Sequence, residues 1–339
     1  MEAAYNSSTT ASSETSVVIC NYNYERFIAS AIDSVLAQSV APCQLIIVDD
    51  GSTDGSRAII DRYSEHGIVK VFKENGGQCS AYNVGLEHVT GKYVIFLDSD
   101  DRLLPTAIEK VEKSFAPGVS KVHYPLELID ANGKRLGTRI PILCDSGDVK
   151  SLILSGYEYL SPPASGNAYL ASALRKAFPI PLHPTERYPA DFFAIFAAPF
   201  FGSVVTVAEA QGEYRTHLSR GQTIGFGNAG SAVGSQQRNV DILASWLSPI
   251  VGQQLPPKLL NFSVLKVAYA QTAVSADGFA TRFTSCLRML PSMLKSLWRR
   301  EGMSIPTRSV LTMWAILLPL MPRPVALKAA IYVCNPDSR

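Results

Sequence analysis

The chain has little charge, no closely spaced cysteines and no long apolar run, and each lack narrows what it can be. Charged residues make up 18% of its 339 residues and the net charge is only +2, so the overall balance calls for no nucleic-acid partner. The six cysteines, Cys20, Cys43, Cys79, Cys144, Cys286 and Cys334, are scattered, with no C-x-x-C pair and no zinc spacing. That pattern argues against a disulfide framework and for a reducing compartment. No stretch reaches the ~18 apolar residues of a membrane span. The nearest, Ser309 to Met321, is thirteen uncharged residues interrupted by Pro319. The polar, Ser- and Thr-rich Met1 to Ser16 lacks a basic start followed by an apolar run, so a secretory signal is not expected.

What is present is a packed globular composition, 47% hydrophobic, with its charge unevenly placed. From Arg282 to Arg339 there are nine Lys or Arg against Glu301 and Asp337, so this tail carries +7 and the first 281 residues carry −5. Between Ser16 and Pro125, short apolar runs (Ser16–Cys20, Gln44–Val48, Val69–Phe72, Tyr93–Leu97) alternate with stretches of helical period (Arg26–Gln38, Ser56–Glu65, Ser80–His88). Ile28, Ile32, Val35 and Leu36 make one such helical face. Runs of this composition suit buried parallel strands, and the alternation predicts a doubly wound α/β sheet. Further on, Leu126–Ile129 and Arg135–Ile140 flank an Asn-Gly turn and predict a hairpin. Gly166–Leu170 and Ser203–Val207 read as strands, Ala190–Pro199 as a helix and Ser219–Gln237 as a Gly/Ser-rich loop, with mostly helix beyond Asn239.

Ligands of such sheets bind at the carboxyl ends of the strands, and a polar cluster follows each of the first four runs. These are Asn21-Tyr22-Asn23, Asp49-Asp50-Gly51-Ser52, Asn75-Gly76-Gly77 and Asp98-Ser99-Asp100-Asp101. Three carboxylates in four residues repel one another unless a counter-charge sits among them. A hard cation, Mg²⁺ or Mn²⁺, supplies it through oxygen donors; the plain alternative is a solvated turn capping the helix after Pro105. Asp50 suits a hydrogen bond to a base imino or amino group and Tyr22 suits stacking on that base, while Thr53 or Asp54 caps the next helix.

Four blocks, S-V-V-I-C-N-Y-N, I-I-V-D-D-G-S-T-D-G-S, E-N-G-G-Q-C-S-A-Y-N-V-G and Y-V-I-F-L-D-S-D-D, stand in order. Together they resemble glycosyltransferase family 2, the inverting enzymes with the GT-A fold, over Ser16 to about His217. The resemblance implies an α/β, Rossmann-like, mostly parallel central sheet with flanking helices, here followed by a helical C-terminal extension. It implies that Cys20, Tyr22 and Asp50 contact the nucleobase, typically uracil, that Asp98 contacts the ribose or sugar, and that Asp100 holds a divalent metal. Asn75, Arg215 and His217 are the implied donor or diphosphate contacts. Ala190-Asp191 matches the family's general-base position, with Glu186 as a substitute; an aspartate in so apolar a setting tends towards a raised pKa, though a first-turn aspartate is also favoured by the helix dipole alone. The third block departs from the family's Ala-Arg-Asn: it reads Ala81-Tyr82-Asn83, which leaves Arg215, Lys73 or Lys92 to replace the arginine.

The expected organisation is a flexible 1–15, a catalytic domain over 16–218, a loop or linker over 219–238 that closes over the donor, and a basic helical region over 239–339. Leu287, Leu290, Leu294 and Leu297 share a helical face opposite Arg288, Lys295, Arg299 and Arg300, so 286–330 is a candidate for peripheral contact with the inner face of the cytoplasmic membrane; a helix packed on the protein would show the same stripe. The expected activity is metal-dependent transfer from a nucleotide-diphosphate sugar, a UDP-sugar first, to a saccharide or lipid-linked acceptor in polysaccharide or glycolipid synthesis. Two rivals stay open: an inactive nucleotide-sugar-binding module, which Tyr82 favours, and a nucleotidyltransferase, which would want a Gly-rich basic loop near the first strand. A dinucleotide oxidoreductase is disfavoured, since Asn21 to Glu25 contains no glycine.

Overall fold

Val- and Ile-rich runs and amphipathic helices alternate from Thr15 onward. The computed structural model describes residues 13–63, 67–183, 188–217, 229–299 and 303–334. In chain order its elements begin β1 (Thr15–Asn21), α1 (Ile28–Leu36), β2 (Gln44–Asp49), α2 (Ser56–Asp61), β3 (Val69–Phe72), α3 (Gln78–His88) and β4 (Tyr93–Asp98). Next come β5 (Arg102–Leu103), α4 (Ala107–Ser114), β6 (Val119–His123), β7 (Leu126–Ile129), β8 (Arg135–Ile140) and α5 (Lys150–Leu154). These are followed by β9 (Asn167–Leu170), α6 (Ala171–Ala177), α7 (Ala190–Ala197), β10 (Ser203–Thr206) and β11 (Gly212–Arg215). Helices complete the chain: α8 (Ala229–Val251), α9 (Phe262–Val274), α10 (Phe279–Arg299), α11 (Ile305–Leu317) and α12 (Arg323–Cys334).

The chain divides into two units, Met1–Ile142 with Ser161–Arg215, and Leu143–Leu160 with Thr216–Arg339. In the first unit a seven-stranded sheet runs β10-β6-β9-β4-β1-β2-β3. It is parallel except at β9, which pairs antiparallel with both β4 and β6. A four-stranded sheet, β5-β11-β7-β8, carries the expected hairpin as its β7–β8 pair.

The two faces of the large sheet are filled differently. Val17, Ile19, Leu45, Ile47, Ile95 and Leu97 join the α1 residues Ile28, Ile32 and Val35 and the α4 residues Ile108 and Val111 in one buried core. Each large aliphatic side chain there contributes about 1.5–3 kcal/mol by leaving water. On the opposite face α3 lies close to the strands, and Gly85 permits it: a Cβ there would stand 2.6 Å from Val18 Cγ1. The parallel register aligns Cys20 with Asp98 and Asn21 with Asp49, so the polar clusters at the strand ends share one rim.

The second unit is mostly helical, and its core gathers Phe262, Tyr269 and Ala270 of α9, Cys286, Met293 and Leu297 of α10, and Trp314, Leu318, Ala326 and Ala330 beyond. Two sequence expectations differ from it. The loop expected through 238 ends earlier, because α8 begins at Ala229; Val240, Leu243 and Leu247 are buried at three- and four-residue spacing further along it, and it includes Gly230 and Gly234, whose poor helix propensity suggested a loop. The remainder of that expected lid, 219–228, lies outside the described residues. Leu143–Leu160, expected within the catalytic domain, belongs to the second unit, where Tyr157 bridges Leu260.

Candidate functional site

The first two strand ends are laced together by short polar side chains. Asn21 Nδ2 donates to Asp49 Oδ2 (2.9 Å) and Ser52 Oγ (3.1 Å), and Ser52 Oγ also accepts from the Asn23 backbone N–H. Asn23 Oδ1 in turn accepts from the Thr53 N–H at 2.7 Å. Burial pushes the Asp49 carboxyl up, but bonds from Ser52, Arg57 and Asn21 outweigh it and hold the group below its ordinary value. Gly51, at φ +83°, makes the close turn that follows; a Cβ on it would meet the Asn75 backbone nitrogen at 2.6 Å.

Asp50 is bound within the protein on both oxygens. Its Oδ1 accepts from the Gly76 N–H at 2.9 Å and from Lys73 Nζ, and its Oδ2 accepts from the Gly77 N–H at 2.7 Å. Asn75 Nδ2 donates to the Asp50 carbonyl at 3.0 Å. The carboxylate therefore shapes the glycine loop that opens α3, and only residual lone-pair capacity on Oδ2 is left for a ligand.

Around the end of β4 three chain segments converge. The Asp98 N–H donates to Ser165 Oγ at 3.1 Å, and Ser165 donates to Asp101 Oδ2 at 2.6 Å. Asp101 Oδ1 accepts from the Arg215 backbone N–H at 2.8 Å, which ties β4 to β11. Asp191 lies in the first turn of α7 and its Oδ2 accepts from the Ala164 N–H at 3.3 Å. Gln78 joins both sides: its Oε1 accepts from the Ala190 N–H at 3.0 Å, and its Nε2 approaches Asp98 Oδ1 at 3.5 Å. Beneath this turn Lys121, fully buried on β6, donates to Ser161 Oγ at 2.6 Å. Ser161 meets Asn167 Oδ1 at 3.0 Å, and Asn167 Nδ2 donates to the carbonyls of Pro162, Pro163 and Ala164. The polar network thus fixes the segment that carries both Ala164 and Ser165.

Charge is stored here at a cost. Burial raises the Asp98 carboxyl well above the ordinary carboxylate range, and Asp101, Asp191 and Asp100 raise it further. Asp101 is raised by burial and by Asp100, against the bonds from Ser165 and Arg215. Asp191 is raised by burial, opposed by the N–H groups of Phe192 and Ala164 and by the Lys121 cation. Tyr214 is pushed to about 12 by burial and then by Asp101 and Asp98. Oxygen donors whose negative charge lacks compensation fit a hard divalent cation. Among the described residues no group of three or more His, Cys, Asp or Glu could hold a metal ion by itself. Asp100 would therefore hold such an ion only together with oxygen donors from a ligand, as is usual for Mg²⁺.

The residues singled out in the sequence fall into distinct positions. Cys20 aligns with Asp98, and its thiol is held neutral by burial and by Asp98 and Asp50. Tyr22 is 46% exposed at the rim, as a stacking platform requires. Arg215 is 5% exposed and its guanidinium is occupied: Nε donates to the Asp100 carbonyl (2.8 Å), Nη1 to the Asp130 carbonyl (3.0 Å), and the plane lies 4.7 Å from the Phe27 ring centroid. It clamps the acidic turn to the β7–β8 loop, where the sequence suggested contact with a diphosphate. His217 belongs to the second unit, and Glu186 lies outside the described residues. Tyr82 is buried in the sheet–α3 core, stacked on Phe96 at 4.0 Å, so it fills apolar space where the family carries its arginine. Lys73 binds Asp50 and Lys92 pairs with Glu14 at 3.3 Å. Sequence reasoning missed Gln78, Ser165, Lys121 and the structural part of Asp101; only Asp101 carried a signal, as the third carboxylate of its turn.

Comparison with known proteins points the same way. The family model described as Glycosyl transferase family 2 matches residues 16–135. The chain is 38% identical over 292 residues to an uncharacterized glycosyltransferase of Nostoc sp., covering 84% of this chain and 85% of that one. Over 98 residues it is 43% identical to the putative teichuronic acid biosynthesis glycosyltransferase TuaG of Bacillus subtilis, covering 28% of this chain and 39% of that one. Among solved structures it is similar to S. aureus TarS 1–349 in complex with UDP, with a TM-score of 0.51 and 16% identity, covering 93% of this chain and 86% of that one.

Proposed function

The chain belongs to glycosyl transferase family 2, and we propose that it transfers a sugar, with inversion at the anomeric carbon, from a nucleotide-diphosphate donor to an acceptor hydroxyl. A UDP-sugar is the first donor to test. The observation that carries the reading is the gathering of Asp98, Asp101 and Asp191 on one polar segment by Ser165 and Ala164.

In this reading Asp191 takes the proton of the acceptor hydroxyl while that oxygen bonds to the anomeric carbon and the bond to the diphosphate breaks. Burial raises Asp191, and the N–H groups of Phe192 and Ala164 and then the Lys121 cation oppose the rise; an upward shift is the direction that suits a general base. Tyr22 stacks on the nucleobase, Cys20 and the Asp50 loop bound its edge, and Asn75 stands beside that loop. Asp98 meets the ribose or sugar. A divalent cation, Mn²⁺ or Mg²⁺, would be held by Asp100 together with the donor diphosphate and would supply charge compensation for the leaving group. Arg215 acts by holding the acidic turn. The acceptor is a saccharide or lipid-linked hydroxyl of a surface polymer, reached from the cytoplasmic side of the membrane. Tyr82, buried and stacked on Phe96, packs the core at the position of the family's arginine.

Nucleotide release from UDP-, GDP- and TDP-sugars, with and without Mn²⁺, tests this directly. Turnover on one donor class, abolished in Asp191→Asn with nucleotide affinity retained, supports the reading. Folded wild-type protein that turns over none of them refutes it.

A further inference from the structure

The helices α11 and α12 expose the kind of surface that a soluble helix hides. On α11 the buried side is Trp314, Ala315 and Leu318, yet the outer side is apolar as well. Ile305, Val310 and Met313 are 70%, 66% and 60% exposed, and Leu317 and Leu320 continue the row. No charge interrupts Ser309 to Met321. On α12 Val325, Leu327 and Ile331 are exposed beside Arg323 and Lys328. Tyr332 and, on α10, Trp298 add exposed rings with a polar edge, the type enriched at membrane interfaces. A helix apolar on both sides demands a second apolar medium.

We propose that the outer face of α11 and α12 seats the chain in one leaflet of an anionic lipid membrane. Charge selects this occupant. From Gly302 to Pro336 the sequence contains no Asp or Glu, while Arg308, Arg323 and Lys328 lie within it. A second copy docked face to face would bring these cations together, whereas anionic headgroups neutralise them at the edge of the buried apolar row. Spanning is excluded for α11 by its length, since thirteen residues rise about 20 Å against a hydrocarbon core of about 30 Å; among the described residues no helix is long and apolar enough to cross a membrane. The helices lie in the interface. The sequence placed this contact from residue 286 onward, but the leucine stripe of α10 is largely used internally: Leu297 is buried and Leu290 and Leu294 pack on the unit's core. The surface goes beyond the transfer reading and does not depend on which donor is used.

The test is co-sedimentation of the full chain with vesicles of phosphatidylcholine containing phosphatidylglycerol, and with phosphatidylcholine alone, for wild type, Val310→Ser/Met313→Gln and Arg323→Gln/Lys328→Gln. Val310, Met313 and Lys328 are exposed, whereas Arg323 Nε donates to the Val274 carbonyl at 3.0 Å, so the melting temperature of each variant is measured alongside; nucleotide binding should match wild type. Wild type is expected to sediment with the anionic vesicles, the apolar pair to bind at least about tenfold more weakly, and the basic pair to lose about fivefold per charge removed. Ile331→Gln gives an independent reading on α12 should the first pair destabilise the fold. Folded wild type that ignores anionic vesicles, or variants that bind as wild type does, overturn the proposal. So does a lipid-free dimer dissolved by Val310→Ser/Met313→Gln, which assigns the face to a second copy. Vesicle binding lost with nucleotide binding intact counts against this surface alone, and the reverse counts against the transfer reading alone.

Discussion

The first unit takes carboxylates out of water, whereas the second leaves apolar side chains in it. At the end of β4, Asp98, Asp101 and Asp191 are raised by burial and two of them also by neighbouring carboxylates. On α11, Val310 and Met313 stand in solvent on a helix whose other side is already packed. Neither arrangement helps an isolated fold: like charges in low dielectric repel, and an exposed apolar row forgoes about 0.8 kcal/mol per CH₂ that burial would contribute. Each misfit marks a missing partner, and the two partners differ in kind. In the proposed reading a cation and a polar substrate complete the acidic rim, and lipid covers the helical face.

If the acidic rim is a site, its residues should trade stability for function, while outward residues of α11 should affect neither turnover nor folding. The largest expected effect is on Asp191→Asn, which should lower kcat by about 10²–10⁴-fold in a donor-turnover assay while nucleotide affinity stays unchanged. A loss of only a few-fold would return Asp191 to a plain helix-start role.

Next is pH. Catalysis needs Asp191 ionised and burial raises its pKa, so kcat should climb as pH rises through that raised value and then level off. Lys121→Gln removes a cation that lowers Asp191 and should displace the rising limb of the kcat profile to higher pH, a shift that a purely structural role for Lys121 would not produce.

Stability sharpens the contrast further. Carboxyls with raised folded pKa values bind protons more tightly when folded, so their contribution is complete below the unfolded value of about 3.9. It is lost as pH rises through the folded values. The melting temperature without metal should therefore fall over that window, and Asp98→Asn should stabilise the metal-free protein by about 1 kcal/mol or more. A destabilised Asp98→Asn would mean that the carboxylate is compensated within the protein and that the rim lacks the stored repulsion argued here. The smallest effect belongs to Tyr82→Phe. The Tyr82 hydroxyl is buried with no hydrogen-bond partner, so its removal should leave stability unchanged or raise it by up to about 1 kcal/mol, with nucleotide affinity unaltered. A clear loss of affinity in calorimetry would place Tyr82 at the donor.

How much of this was legible in the sequence follows the same division. The strands β1 to β4 are continuous apolar runs, each followed by its polar cluster, and α1 keeps a clean helical period, so the rim that carries Asp50, Asp98 and Asp100 could be read directly; Asp191, on α7, was singled out only through the resemblance to the family. β6 could not, because Lys121 and His123 interrupt its apolar pattern. The antiparallel entry of β9 is set by long-range pairing with no local signature. Ser165 and Gln78 matter through partners 67 and 20 residues away, a relation that spacing cannot encode. The guanidinium of Arg215 looked available for phosphate because its clasp on Asp100, Asp130 and Phe27 is tertiary. In the second unit every helix has an apolar stripe, and only packing distinguishes α10, which turns its stripe inward, from α11, which has apolar residues on both sides.

Calorimetric titration of UDP, GDP and TDP into wild type and Asp100→Ala, each with and without Mn²⁺, addresses the central claim most directly. One nucleotide should bind, Mn²⁺ should strengthen its binding, and the strengthening should disappear in Asp100→Ala while the protein stays folded. Binding of no nucleotide, or binding indifferent to both Mn²⁺ and Asp100, would contradict it.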